Sequence, residues 1–249
     1  EATLVQVLQK ERRPNPEIMI LLGHLAIEMD EFDKAALYAD SAVVIAPAYA
    51  AGHVLRGEIR YFQNDSAGAL KDLQRALELA PRHPRGLYDL GCVLLYDLGL
   101  YDQARRLFLA AAENGFDGPF LWYNVGACEY MLRRPEAALA AFERMPEVFS
   151  EFPEVQWARA NALLLGEEPD SAVTLYERLR PKQEKNAALV NNLGVAAELH
   201  GDSIAALKLY WDAIKLAKNP ADADSVAQRN IERLLLGRRF RDPWAAMHS

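Results

Sequence analysis

Residues 68–81 read GALKDLQRALELAP, and residues 34–47 read KAALYADSAVVIAP. Ala35 and Ala69, Ala42 and Ala76, Ala46 and Ala80, and Pro47 and Pro81 are each 34 residues apart. A constant offset of that size marks an internal repeat, and the rest of the chain has to be read in its register. Carried onward, a small residue falls at Gly23, Gly57, Gly91, Gly126, Ala160 and Gly194, at spacings of 34, 34, 35, 34 and 34. An alanine follows each at Ala35, Ala69, Ala104, Ala138, Ala172 and Ala206. The longer third interval places a one-residue insertion in YDLGLYD (96–102), a turn that absorbs it at little cost.

Within each unit the apolar residues recur with helical period, as in WYNVGACEYML followed by RRPEAALAAFERM, so each unit reads as two amphipathic helices joined by a turn. Strand-like alternation is absent. QNDS (63–66), RRPE (133–136), GEEPD (166–170) and HGDS (200–203) put an acidic or hydroxyl residue where the second helix begins. Pro47, Pro81, Pro84, Pro119, Pro153 and Pro220 punctuate the units, since proline opens a helix readily and cannot continue one. Glycine or alanine at a helix crossing lets two backbones approach to about 8 Å. Four residues after the alanine of the later units stand Phe108, Phe142, Tyr176 and Tyr210, which the spacing assigns to the space between hairpins; Ala39 and Leu73 hold that place in the first two units.

Small residues at the eighth and twentieth positions, Trp122 at the fourth position of one unit, aromatics at the twenty-fourth and proline near the thirty-second in the first two units resemble the tetratricopeptide repeat. The resemblance implies an all-α fold, a right-handed superhelical solenoid of antiparallel helix pairs. The units are 16–49, 50–83, 84–118, 119–152, 153–186 and 187–220, and the fifth is the most degenerate, with Ala160 in place of glycine and Leu179 in place of its last alanine. Residues 1–15 read as an N-terminal partial or capping helix. Residues 221–237 read as a C-terminal capping helix that turns Val226, Ile231, Leu234 and Leu235 inward and ends at Gly237, because a solenoid needs a polar end. Residues 238–249 form a basic, aromatic tail, either a frayed terminus or a docking or self-packing segment.

Composition narrows the function. The 249 residues carry a formal charge of −7, which argues against non-specific nucleic-acid binding. No apolar run reaches the roughly 18 residues of a membrane span, so a soluble chain is expected, in cytoplasm or periplasm. The start at Glu1 inside an amphipathic stretch points to an upstream segment such as a signal peptide, lipid anchor or further domain. Cys92 and Cys128 form no CxxC pair and read as packed thiols. The chain holds no HExxH, no GxSxG and no phosphate-binding glycine loop, and its five histidines have no ligand partner at helical spacing. No enzyme activity, metal or cofactor is therefore expected.

In tetratricopeptide proteins the first helix of each repeat lines the concave surface, so the resemblance places a binding groove there. If the eighth position faces the second helix, steps of 100° bring positions 2, 5, 9, 12 and 13 together on the other side. With position 6 beside them, the candidate groove residues are Tyr61, Tyr88, Asp89, Tyr96, Phe120, Tyr123, Asn124, Tyr130, Trp157, Asn161, Asn191 and Asn192. Aromatics of this kind anchor interfaces. Amides offer a donor and an acceptor each, which suits gripping a peptide backbone without reading its side chains. The family's Lys and Asn clamp for a partner's C-terminal carboxylate is not matched, because Tyr88, Tyr123 and Trp157 stand in its place. Arg56 and Arg60 depart from the apolar pattern, with Glu28 and Glu58 as their expected partners. The expected function is a non-enzymatic scaffold that binds a peptide or protein segment in the groove. The alternatives are a self-associating module, with homo-oligomers or a groove filled by the chain's own terminus, and a noncatalytic regulatory domain of a longer protein.

Overall fold

The computed structural model describes residues 15–183, 185–217, 226–238 and 243–248. Of the expected N-terminal helix all but Asn15 lies outside them, as do residues 221–225 of the expected cap and residues 239–242 and 249 of the tail.

Among the described residues all regular structure is helical: α1 (Pro16–Glu28), α2 (Phe32–Ile45), α3 (Ala50–Phe62), α4 (Ser66–Leu79), α5 (Pro84–Tyr96), α6 (Tyr101–Glu113), α7 (Leu121–Met131), α8 (Pro135–Glu143), α9 (Glu147–Ser150), α10 (Pro153–Leu165), α11 (Pro169–Leu179), α12 (Ala187–Leu199), α13 (Ser203–Leu216), α14 (Val226–Leu235) and α15 (Pro243–His248), with a 3₁₀ turn at Arg180–Lys182. The fold is all-α, made of helices packed in pairs across short turns. Proline opens α1, α5, α8, α10, α11 and α15, where its missing N–H costs nothing.

The repeat is visible in the turns. Asp30, Asn64, Gly99, Arg133, Glu167 and Gly201 all take positive φ, between 57° and 83°, and their spacings are again 34, 35, 34, 34 and 34. After each of five of them the next backbone N–H reaches back across the turn to a carbonyl of the first helix's last turn. Glu31 donates to Ala26, Asp65 to Arg60, Arg134 to Glu129, Glu168 to Leu163 and Asp202 to Ala197, at 2.8–3.0 Å. This is the closure that left-handed helix ends make to satisfy their carbonyls. At the insertion Leu100 reaches Leu94, one residue further. Asp65 and Asp202 then cap the second helix, accepting from the backbone N–H of Gly68 and Ala205 at 2.9 Å.

The chain divides into two compact units, residues 1–124 and 125–249. In the first unit α1 packs on α2, α3 on α4 and α5 on α6, while α1, α3 and α5 lie side by side. In the second, α10 packs on α11, α12 on α13, and α14 closes against α13. The fully buried rings of Phe108, Phe142, Tyr176 and Tyr210 belong to these cores. Tyr176 reaches the next hairpin, accepting from Asn192 Nδ2 at 3.3 Å, while the other three rings lie against the glycine of their own hairpin. A β-carbon on Gly91 would lie 2.7 Å from Phe108, on Gly126 2.4 Å from Phe142, and on Gly194 2.6 Å from Tyr210, each across a single hairpin. The glycine is small because the ring of its own second helix lies against it.

The two arginines acquire a different account from the expected one. The buried carboxylate of Asp72 on α4 accepts from Arg56 Nε at 2.9 Å and Nη2 at 2.7 Å, and Arg60 Nη1 stands 2.7 Å from it. Arg56 also reaches Asp40 on α2 at 3.3 Å. The partners lie on the second helices of the first two hairpins, and Glu58 is instead paired with Arg85.

The expected cap is helical as α14, with Ala227, Asn230 and Ile231 buried and Gly237 at positive φ beyond its end. Leu235 does not turn inward as expected: it is 69% exposed, a hundred degrees away from Leu234.

Candidate functional site

In the first unit the candidate residues gather along α3, α5 and the start of α7. Tyr96 donates its hydroxyl to Asn124 Oδ1 at 2.6 Å, and the Asn124 amide donates to the Tyr88 hydroxyl at 3.1 Å. Asn124 is thus buried and engaged with two tyrosines rather than turned outward. The Tyr88 ring stacks on Phe116 at 4.3 Å and leans on Phe108 at 5.5 Å, and burial raises its pKa. Tyr61 is half-buried, its hydroxyl pushed up to about 12 first by burial and then by the charge of Asp97. Tyr96 is 54% and Phe120 40% exposed, so aromatic surface of this unit faces solvent; Tyr123 is half-buried.

Asp89 is not a groove acceptor waiting for a ligand. Arg85 Nε stands 2.8 Å and 3.1 Å from its two oxygens, and Arg85 also bonds the buried Glu58. Burial, with the charge of Glu58 added, pushes the Asp89 carboxyl up to about 8 against the opposing pull of Arg85. His24 Nδ1 approaches Glu58 at 3.9 Å.

In the second unit the candidate amides form one connected chain. Asn161 Oδ1 accepts from the Tyr176 hydroxyl at 2.6 Å and from Asn192 Nδ2 at 3.0 Å; Asn191 Nδ2 donates to Asn192 Oδ1 at 3.2 Å. All three asparagines are buried. Trp157 meets the Tyr176 ring edge-on at 5.5 Å. Asn230 of α14 extends the chain, donating to Asn191 Oδ1 at 3.1 Å.

The chain of amides ends on a peptide carbonyl. Asn191 Nδ2 and Asn230 Nδ2 both donate to the backbone oxygen of Ala246, at 3.1 and 2.8 Å. Ala246 lies on α15, so the tail of the protein is seated against α12 and α14 and touches α10. Its Met247 side chain forms part of the wall of a recess of about 190 Å³ lined by alanines of α12, α13 and α14. Its Trp244 ring stacks on His248 at 4.1 Å, lies 5.0 Å from the Tyr130 ring, and is covered by the Arg133 guanidinium at 5.4 Å. His248 Nδ1 lies 3.2 Å from the Trp244 carbonyl and Nε2 lies 3.0 Å from the Tyr130 hydroxyl. A carbonyl only accepts, so the neutral ring carries its proton on Nδ1 and Nε2 accepts from Tyr130.

Of the residues in this seat, Tyr130 and Asn191 are among those singled out from the sequence, and Arg133, Asn230, Trp244, Ala246 and Met247 are not. The signal was present in PWAAMH, a proline-led segment with an aromatic and small residues, but its place in the fold is set by tertiary contact alone.

Among the described residues no helix is long and apolar enough to cross a membrane. A family model of the tetratricopeptide repeat matches residues 93–148. The human protein named tetratricopeptide repeat protein 36 is 31% identical over 137 residues, covering 54% of this chain and 69% of that protein. Among solved structures, YrrB superposes with a TM-score of 0.65 at 20% identity, covering 78% of this chain and 97% of that one. PilF of Pseudomonas aeruginosa gives 0.63 at 19% identity, over 88% of this chain and 97% of its own. MamA gives 0.56 at 19% identity, over 71% and 96%. At these identities the structures speak for the fold, and the sequence match to the human relative, over more than two thirds of its length, speaks for the family. This chain, with its period of 34 residues and its glycine-against-ring hairpins, belongs to the tetratricopeptide-repeat family.

Proposed function

We propose that the protein is a non-enzymatic scaffold whose first-helix groove binds a peptide or protein segment. The observation that carries this reading is the hold on Ala246: two side-chain amides converge on one main-chain oxygen, a contact that takes any residue with a carbonyl in that place. Interaction with proteins or peptides is the general role of this repeat, and the neighbouring structure YrrB is a tetratricopeptide protein with an unusual peptide-binding site. In the first unit the exposed rings of Tyr96 and Phe120 supply the apolar anchors such binding uses.

The test is selection of peptides from a displayed random library on the full chain, followed by affinity measurement on Tyr96→Ala and Phe120→Ala. Interface anchors of this kind cost about 2 kcal/mol or more when truncated, so affinity should fall by roughly 30-fold. Failure to select any peptide, or selected peptides indifferent to both substitutions, would remove the reading. A second reading, self-association, has Ile204 and Trp211 in its favour, 83% and 54% exposed on one face of α13. It predicts a doubled mass by light scattering that Trp211→Ala returns to monomer.

A further inference from the structure

We propose that the groove of the first unit carries a subsite for a positively charged side chain, formed by the carboxylates of Glu58 and Asp89, and that the segment bound there presents a lysine or arginine with apolar residues beside it. The proposal rests on the groove reading above and names the chemistry of its ligand.

The subsite is built on three first helices that lie side by side, α1, α3 and α5. His24 on α1 and Glu58 on α3 hold the ninth position of their units, one of those that face the groove, and Arg85 and Asp89 on α5 hold the second and sixth of theirs. Glu58 is 7% and Asp89 8% exposed, whereas the side chains of Arg85 and His24 are 41% and 44% exposed. Two buried carboxylates thus share one guanidinium that reaches solvent.

Two observations point to a cation. The first is an unmet acceptor. Arg85 bonds Glu58 Oε1 and both Asp89 oxygens, but Glu58 Oε2 makes no hydrogen bond, and His24 Nδ1 at 3.9 Å is beyond reach of one. A buried carboxylate oxygen in that state costs free energy that a donor recovers. The second is charge. Two carboxylates against one guanidinium leave one negative charge in a place stripped of water, since His24 is a cation only when protonated. In the chain alone the cluster settles this by holding a proton: burial, with the charge of Glu58 added, pushes the Asp89 carboxyl up to about 8 against the pull of Arg85. The charged groups that act on Asp89 are Arg85 of its own helix and Glu58 of α3, with the Tyr88 hydroxyl nearby on α5 and His24 of α1 beside Glu58.

A lysine ammonium or an arginine guanidinium answers both. It donates to Glu58 Oε2 and supplies the second positive charge, so that Asp89 gives up its proton. Access runs past His24, a half-exposed ring that holds Glu58 by no hydrogen bond and can turn aside. Among the described residues no group of three His, Cys, Asp or Glu side chains could hold a metal ion, which leaves the organic cations. The exposed rings nearby choose a peptide among these. Phe62, 49% exposed, follows Glu58 by four residues on one face of α3, and Tyr96, 54% exposed, follows Asp89 by seven on one face of α5. They stand about 6 Å and 10 Å along their helices from the carboxylates, a span that neighbouring side chains of a peptide cover and a lone amine does not.

The experiment takes the peptides that a displayed random library yields on the full chain. They should share a lysine or arginine at one position, and its replacement by norleucine should weaken binding about tenfold or more. Glu58→Gln, with thermal melting as the check on folding, should bind the cationic and the norleucine peptide alike. Calorimetry on the unaltered chain at pH 7, in two buffers of different ionisation enthalpy, needs no variant: the cationic peptide should release on the order of half a proton and the norleucine peptide none. Selected peptides without a common cation, a norleucine change that costs nothing, a discrimination that survives Glu58→Gln, or equal proton release by the two peptides overturns the proposal. Should Glu58→Gln not fold, the calorimetric comparison decides. Spermidine that displaces the selected peptide at equal concentration would assign the carboxylates to a free amine and overturn the choice of a peptide. The groove reading survives these failures, since its test lies in Tyr96 and Phe120; a library that yields no peptide ends both.

Discussion

The ring of Phe142 occupies the space that a side chain at position 126 would need: a β-carbon on Gly126 would stand 2.4 Å from it. The alanine substitution therefore overpacks a closed hairpin, and a forced fit of this kind costs about 1–3 kcal/mol. Gly126→Ala should lower the midpoint of urea unfolding accordingly, and Gly126→Ala with Phe142→Leu should recover part of the loss. Undiminished stability in the single variant would mean that the hairpin has room to open.

Glu167 holds the left-handed turn conformation, φ 59°, that Gly99 and Gly201 hold at equivalent places. A side chain there costs roughly 1–2 kcal/mol, of which glycine's greater chain entropy returns about half. Glu167→Gly should therefore raise stability by roughly 0.5–1 kcal/mol in denaturant unfolding. A fall would show that the Glu167 side chain contributes more than its backbone strain removes.

Asp72 is the common partner of Arg56 and Arg60 and is only 3% exposed. Removing its charge leaves two guanidinium groups facing a buried neutral side chain, a change that costs about 3–5 kcal/mol in buried pairs. Asp72→Asn should fall in that range. Arg60→Ala, which leaves the Arg56 pair in place, should cost clearly less; equal losses would mean that the three groups do not share one network.

His248 titrates below the ordinary histidine value, chiefly because burial strips water from its ring; the Arg133 charge acts in the same direction and the bond to the Trp244 carbonyl opposes them. The seated tail thus binds its proton less readily than a released one. Seating is at full strength above the ordinary pKa of about 6.5 and weakens as pH falls from there through the lowered value. Proton NMR of the His248 ring, assigned with His248→Asn, should give a pKa below 6.5 that returns toward it in Tyr130→Ala. A value at or above 6.5 in the unaltered chain would contradict the seat as described.

Much of the fold was legible because the repeat writes itself in residue size. Gly91, Gly126 and Gly194 must be small, and their rings must be large, so period and family followed from spacing. The partners of Arg56 were not legible in that way, since Asp72 and Asp40 reach it from other helices and a sequence read helix by helix favours near acids such as Glu58. The buried state of Asn124, Asn161 and Asn192 escaped for a similar reason: helical phase gives the side of a helix, and the burial there depends on Tyr96 and Tyr176 from neighbouring helices. The seat of α15 depends on contacts more than fifty residues apart in sequence, as between Asn191 and Ala246.

The measurement that bears most directly on the groove as the binding surface is photocrosslinking of a library-selected peptide from a photoreactive residue placed at Tyr96, compared with the same residue placed at Leu37, which is 68% exposed on α2. The account predicts an adduct from position 96 and none from position 37. An adduct from position 37 alone would put the ligand on the second helices and contradict it.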